Sequence, residues 1–152
     1  MAAMRYELPE FLEGLCTPGE YRRWLSRAAS RHVRRDRKRG NTCATRESYE
    51  RAIHEAALRK GQTDAHTGER LDRTLISTYD NKKAKERGRD YKKSFGDMPT
   101  VDHVSDGLGP ADFCICSWRT NDCKSDLGLE EFIALCKKVV TYSGRVKRRG
   151  TS

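Results

Sequence analysis

Asp102 and His103 are adjacent residues whose side chains could carry out acid–base and metal chemistry. An imidazole can exchange a proton near neutral pH, and a carboxylate is an oxygen ligand suited to a hard divalent cation. By itself, such a pair is most often the end of a strand whose histidine is hydrogen-bonded for structural reasons. What the pair can do therefore depends on the elements that position it.

A strand and a glycine-rich loop surround this pair. The sequence from Met98 to Val104 alternates in a way that predicts a strand with Asp102 and His103 on opposite faces. The loop from Ser105 to Pro110 contains two glycines, which can adopt backbone angles that are closed to other residues. The pair is thus predicted to lie where a strand ends and a tight loop begins.

A second strand and helical segments follow the loop. Phe113 to Trp118 is apolar on both faces, which predicts a buried strand. Thr120 to Asp122 are residue types that cap helices, and they predict a helix start. After Gly128, apolar residues recur at helical spacing from Leu129 to Val140.

A strand with Asp-His, a glycine loop, an apolar strand and an Asn at a helix start resemble, in this order, the HNH, or ββα-metal, endonuclease superfamily. The resemblance is confined to Met98 to Leu135. It implies an α+β fold in which residues 97–141 form a ββα-metal core with its following helix. Residues 1–96 would form a basic helical region packed on that core, and residues 142–152 a basic flexible tail.

The resemblance also implies roles for four residues. His103 stands in the position of the general base, and Asp102 and Asn121 stand in the positions of metal ligands. Two oxygen ligands favour Mg²⁺ or Mn²⁺ over tightly held Zn²⁺. Asp112 stands where the family has an asparagine that fixes the loop through backbone hydrogen bonds. A carboxylate can accept such bonds but cannot donate them, so we expect a less rigid loop.

The segment that carries this motif is acidic. Residues 97–136 contain eight Asp or Glu and only two basic residues, Arg119 and Lys124. These two could contact substrate phosphates, or they could pair with Asp122 or Asp126. An acidic pocket flanked by basic segments suits a metal-dependent enzyme that acts on a polyanion.

The chain as a whole is basic, with a net charge of +9, which indicates an anionic partner such as nucleic acid. Thr17-Pro18-Gly19-Glu20 predicts the start of a helix that runs to about Arg39. From Arg22 to Arg39 there are nine basic residues and one acid, more than a solvated face requires. The arginines of this helix predicted to contact the nucleic-acid backbone are Arg22, Arg23, Arg27, Arg31, Arg34 and Arg35.

The cysteine pairs that clip a structural zinc in many HNH-like proteins have no counterpart here. The corresponding upstream region, Asp64 to Gly68, contains His66 but no cysteine, and Ser117 and Thr120 occupy the downstream positions. We therefore expect no structural zinc, with packing holding the fold instead. The competing hypothesis is a zinc-stabilised interaction module that uses Cys114, Cys116 and Cys123 with a fourth ligand from Cys136, Cys43 or Cys16.

Composition also bears on the compartment. No apolar run approaches the length of a membrane span, and the N-terminal residues contain no hydrophobic signal core. These features predict a cytoplasmic protein that does not interact with membranes and whose six cysteines are thiols.

These observations predict a metal-dependent endonuclease that hydrolyses DNA phosphodiester bonds, with His103 as the general base and the metal held by Asp102 and Asn121. The alternatives are a non-catalytic nucleic-acid-binding protein on the same scaffold and the cysteine-zinc module. RNA stays open as a substrate. Cutting both strands would require a homodimer, for which no interface stripe stands out in the sequence.

Overall fold

Two packed helices form the N-terminal scaffold in the computed structural model, which describes residues 6–150. Helix α1 (Pro18–Lys38) begins as predicted, because Thr17 Oγ1 accepts from Glu20 N at 3.2 Å and Thr17 N donates to Glu20 Oε2 at 2.7 Å. Helix α2 (Arg46–Lys60) is capped by Thr45. Small residues let these helices pack closely; the buried alanines are Ala28, Ala29, Ala56 and Ala57.

A two-stranded antiparallel sheet packs against this scaffold. Strand β1 (Pro99–His103) pairs with strand β2 (Phe113–Ser117), with Asp102 opposite Cys114 and His103 opposite Phe113. Because side chains alternate along a strand, one face carries apolar residues into the core. The core-facing residues are Val101, His103, Phe113 and Ile115.

Helix α5 (Trp118–Lys124) covers the opposite face of the hairpin. Its N-cap is Ser117, whose hydroxyl accepts from Thr120 N at 3.0 Å. The predicted cap at Thr120 to Asp122 is therefore wrong, because β2 passes into α5 without a loop and its last residue provides the cap. Asn121 consequently lies one turn inside the helix, and Asn121 and Lys124 are at the i, i+3 spacing of side-chain neighbours.

Short helices connect the scaffold to the hairpin. A 3₁₀ turn (Arg73–Leu75) is followed by helices α3 (Asn81–Arg87) and α4 (Arg89–Ser94), with a further 3₁₀ turn at Glu10–Leu12. Between α3 and α4 the chain turns at Gly88, where φ is +64°. The basic segment 82–97 is thus largely helical.

Helix α6 (Leu129–Arg149) ends the described chain, and none of its residues is buried. The helix extends through residues 142–149, where the sequence predicted a flexible tail. Residues 6–150 therefore confirm the predicted α+β class, with six α-helices and one antiparallel pair of strands. Within this part of the chain, no helix is both long enough and apolar enough to cross a membrane.

Candidate active site

His103 and Asp36 form a hydrogen-bonded pair at the junction of the hairpin and α1. Nε2 of His103 lies 2.7 Å from Oδ2 of Asp36, with side chains 10% and 0% exposed. The same carboxylate oxygen accepts a hydrogen bond from the Tyr49 hydroxyl at 2.7 Å. Asp36 of α1 thereby holds His103, and Tyr49 of α2 in turn holds Asp36.

This pairing determines which nitrogen of His103 is available for proton transfer. A carboxylate only accepts hydrogen bonds, so the proton of the imidazole lies on Nε2 and the lone pair of the neutral ring lies on Nδ1. Within residues 6–150, Nδ1 makes no hydrogen bond and is not among the fully enclosed unpaired atoms. Asp36 thus orients a histidine whose second nitrogen is free to accept a proton.

A second histidine, His32, packs against the pair. Its ring meets the His103 ring edge to face, with centroids 4.8 Å apart, and its Nδ1 accepts from Arg35 Nη2 at 2.8 Å. Burial, together with the guanidinium of Arg35, lowers the pKa of His32 to about 3. His32 is therefore neutral at physiological pH, and it adds packing without adding charge.

The glycine loop is fixed from outside the motif, by Asn41. Its Nδ2 donates to the carbonyl oxygens of Gly107 at 2.8 Å and Gly109 at 3.3 Å. Asp112, the residue at the predicted loop-fixing position, is exposed, and its carbonyl accepts from Val104 N at 3.2 Å. Asn41 therefore supplies to the loop an amide donor that Asp112 lacks.

Gly107 lies against the His103–Asp36 pair. A Cβ added at this position would be 2.9 Å from His103 Nε2 and 3.0 Å from Asp36 Oδ1. The residue also has φ of +78°, a conformation that glycine adopts without steric cost. Both the space and the backbone angle therefore require glycine here.

Asp102 lies on the opposite face of β1 and contacts a different set of residues. Its Oδ2 is 3.0 Å from Lys124 Nζ and 3.1 Å from His66 Nε2, while its Oδ1 accepts from His103 N at 2.9 Å. Lys124 is only 6% exposed, so its ammonium pairs with Asp102 rather than with Asp122 or Asp126, and it is not presented on the surface. Asp102 and His103 are thus neighbours in sequence whose side chains diverge, as predicted.

Two sets of donors near Asp102 could hold a metal. His66, Asp102 and Cys114 offer ligand atoms within 4.8 Å of one another, but burial, with the charge of Asp102, raises the pKa of Cys114 to about 12. A metal bound to this set would have to displace the proton of the Cys114 thiol. The oxygen set consists of Asp102 and Asn121, whose Nδ2 lies 3.4 Å from Val101 O and whose Oδ1 makes no hydrogen bond within residues 6–150.

A divalent cation held by the oxygen set would compete with a cation that is already beside Asp102. Asp102 is shared by both sets, and it already has a positive partner in Lys124. A divalent ion at Asp102 must therefore displace or move this ammonium. The free Oδ1 of Asn121 and the carboxylate of Asp102 are the donor types that Mg²⁺ and Mn²⁺ prefer.

Asp64 fastens the upstream turn to the start of α5. Its carboxylate accepts from Ser117 N at 3.0 Å, from His66 N at 2.7 Å and from Thr67 N at 3.2 Å. Burial alone would raise the pKa of Asp64, but hydrogen bonds from Ser117, Thr120 and His66 outweigh it and lower the pKa. One carboxylate thus joins the turn at residues 64–67 to the N-cap of α5.

The predicted phosphate-binding arginines lie mostly on the surface of α1. Arg35 is tied to His32, and Arg27 donates to Ser77 Oγ at 3.2 Å. The other exposed members are Arg23, Arg31 and Arg34, whereas Arg22 is half-buried. Arg119 is exposed and donates to Lys93 O at 3.3 Å.

Sequence reasoning missed Asp36 and Asn41, because both lie far from the motif. Asp36 is the single acid among nine basic residues from Arg22 to Arg39, and its position on the apolar stripe of α1 was the available signal. Asn41 follows Gly40 just after α1 and carried no comparable signal. Comparisons with protein-family models, curated proteins and solved structures found no match.

Proposed function

We propose that this chain is a metal-dependent endonuclease that hydrolyses DNA phosphodiester bonds, on an HNH-like ββα core formed by β1, β2 and α5. The observation that supports this most is the contact of Asp36 with Nε2 of His103 at 2.7 Å, which leaves Nδ1 as the proton acceptor. A buried carboxylate that fixes the tautomer of a histidine is a recurrent arrangement for a general base.

In the proposed reaction, His103 removes a proton from the attacking water through Nδ1. Asp36 stabilises the resulting imidazolium through the hydrogen bond at Nε2. A divalent cation, when bound, neutralises charge on the phosphoryl and leaving oxygens. Asp102 and Asn121 would hold it, and Lys124 neutralises Asp102 until the cation arrives.

Substrate attraction is assigned to the basic surface of α1. Its exposed arginines face solvent on the helix whose inner side carries Asp36, so the phosphate-binding surface and the residue that orients the general base share one rigid element. Contacts of arginine with phosphates supply affinity without sequence preference. DNA is preferred as the substrate from the HNH resemblance, and RNA is included in the test.

The test is plasmid nicking with Mg²⁺ or Mn²⁺, comparing the wild type with His103→Ala and with the matched control His54→Ala. Loss of a general base lowers the rate by about 10²- to 10⁴-fold, so His103→Ala should nick far more slowly while DNA binding is retained. His54→Ala should retain the rate, since His54 lies apart from the hairpin, beside Tyr21. Single-stranded RNA in the same buffers tests the alternative substrate.

A non-catalytic nucleic-acid-binding protein is the second candidate, and the burial of the site favours it. The side chain of His103 is 10% exposed and that of Asp102 is 7% exposed, with Lys124 in place beside Asp102. If the wild type and His103→Ala bind DNA equally and neither nicks it with either metal, this second function replaces the first.

A further inference from the structure

Helix α6 is a long amphipathic helix that no other part of residues 6–150 covers. Among its residues only Phe132 is even half-buried. The exposed fraction reaches 60% for Val139 and 71% for Val140. An uncovered apolar stripe of this length is uncommon on a monomer and marks an interaction surface.

The apolar residues of α6 follow the spacing of a helix-pairing seam. The residues that follow Leu129 by three, seven, ten and seventeen positions lie on the same side of the helix as Leu129. The residues at these positions are Phe132, Cys136, Val139 and Val146, and Ile133 and Val140 widen the stripe. A second helix of similar length can cover an apolar stripe with this spacing.

Charge is distributed unevenly along the same helix. Glu130 and Glu131 lie in the first turn, and Lys147, Arg148 and Arg149 lie in the last. Two copies side by side in parallel would bring the basic ends together. Two antiparallel copies bring each acidic end near the basic end of the other, and they also oppose the helix dipoles.

We infer that α6 pairs with α6 of a second copy of this chain, antiparallel and about a twofold axis close to Val139. Val139 is the midpoint of the helix Leu129–Arg149. A twofold axis there places Phe132 of one copy opposite Val146 of the other and Val139 opposite itself. The stripe is thus self-complementary, which an isologous dimer interface requires.

This dimer does not depend on the nuclease proposal, because the surface lies outside the His103 and Asp102 sites. The dimer would nevertheless place two nuclease sites in one particle, and cutting both strands of DNA would require two sites. Nothing in the sequence separated α6 from the core, since apolar residues at helical spacing also fit a buried helix.

The test is the molar mass of the full chain in solution by light scattering after size exclusion. The wild type should have twice the chain mass of 17.4 kDa at concentrations on the order of 100 μM. Val139→Glu should be monomeric, because it places a charge at the twofold axis. Thr141→Glu, on the opposite side of α6, is the matched control and should stay dimeric.

Since α6 has no buried residue, Val139→Glu should leave the near-ultraviolet circular dichroism of the body unchanged. A monomeric wild type, or equal masses for Val139→Glu and Thr141→Glu, would overturn the proposal. So would a monomer in which hydrogen exchange of α6 slows only when a DNA duplex is added, because α6 would then contact nucleic acid.

Cysteine cross-linking tests the orientation, in a background where Cys43, Cys123 and Cys136 are serine. In the antiparallel pair, Val139→Cys should cross-link to its own copy, whereas the two copies of Leu129→Cys lie about 30 Å apart at 1.5 Å per residue. Cross-linking at both positions would instead show parallel helices and reject the antiparallel dimer.

Discussion

Asp36 and His103 are separated by 67 residues, yet Oδ2 of the aspartate and Nε2 of the histidine are 2.7 Å apart. The aspartate lies on the inner side of the arginine-rich helix, and the histidine ends the first strand of the hairpin. One hydrogen bond therefore connects the proposed substrate-binding helix to the proposed general base.

Asp36→Asn should lower the rate of plasmid nicking by about 10²- to 10⁴-fold, because an amide no longer enforces the Nε2-protonated tautomer of His103. Asp36 acts through His103, so a spectroscopic readout is needed beside activity. The ¹⁵N shifts of the His103 ring should show protonated Nε2 in the wild type and a mixture of tautomers in the variant. An unchanged ring spectrum together with an unchanged rate would show that Asp36 has no positioning role. Asp90→Asn, an exposed acid on α4, is the control.

Gly107→Ala should destabilise the fold by about 1–3 kcal/mol and reduce activity, because its Cβ would meet His103 Nε2 at 2.9 Å and φ is +78°. Gly109→Ala is matched to it in the same loop, since nothing lies within 4 Å of an added Cβ there. Urea unfolding of the two variants should therefore separate them. Equal free energies of unfolding for Gly107→Ala and Gly109→Ala would show that the loop does not pack tightly against His103 and Asp36.

Asn41→Asp should destabilise the protein by about 1–3 kcal/mol, because it replaces a donor to Gly107 O and Gly109 O with a buried acceptor. Asp112→Ala should change stability by no more than about 0.5 kcal/mol, since the side chain is exposed. Thermal unfolding of both proteins at pH 7 measures the difference. If Asp112→Ala lost more stability than Asn41→Asp, then Asp112, and not Asn41, would be the residue that fixes the loop.

Asp64→Asn should cost about 1–3 kcal/mol at pH 7, because the new amide nitrogen would face Ser117 N or His66 N. The pKa of Asp64 is lowered in the folded state, so its stabilisation is present above the unfolded value of about 3.9 and is lost as pH falls through the folded pKa. Urea unfolding at pH 7 and pH 3 should show a smaller wild-type advantage at pH 3. Asp72→Asn, an exposed cap, should show little effect at either pH. A cost for Asp64→Asn that does not shrink at pH 3 would show that its charge is not what holds the turn.

Local signals in the sequence predicted the parts of the fold that depend on neighbouring residues. The capping box at Thr17 and Glu20 located the start of α1, and alternation along β1 correctly placed Asp102 and His103 on opposite faces. The cap of α5 was misplaced because Ser117 also ends a strand, so its capping role was masked by the strand pattern.

The partners of the candidate site could not be predicted, because they are contacts between distant elements. For Lys124 the sequence left open a substrate phosphate or a nearby partner, Asp122 or Asp126, whereas α5 places its ammonium beside Asp102 on β1. Asn41 reaches the glycine loop only because the end of α1 packs beside the hairpin. No local pattern encodes such contacts, whereas the arginine density and the Asp-His pair are visible in the sequence itself.

Diffraction from crystals soaked in Mn²⁺, recorded for its anomalous signal, tests most directly whether the hairpin is a metal-dependent site. The expected result is an ion about 2.1 Å from a carboxylate oxygen of Asp102 and from Oδ1 of Asn121, with Lys124 Nζ moved from its 3.0 Å contact and His103 still on Asp36. An Asp102–Lys124 pair that stays intact at saturating Mn²⁺, with no ion beside it, would contradict the proposed metal-dependent nuclease.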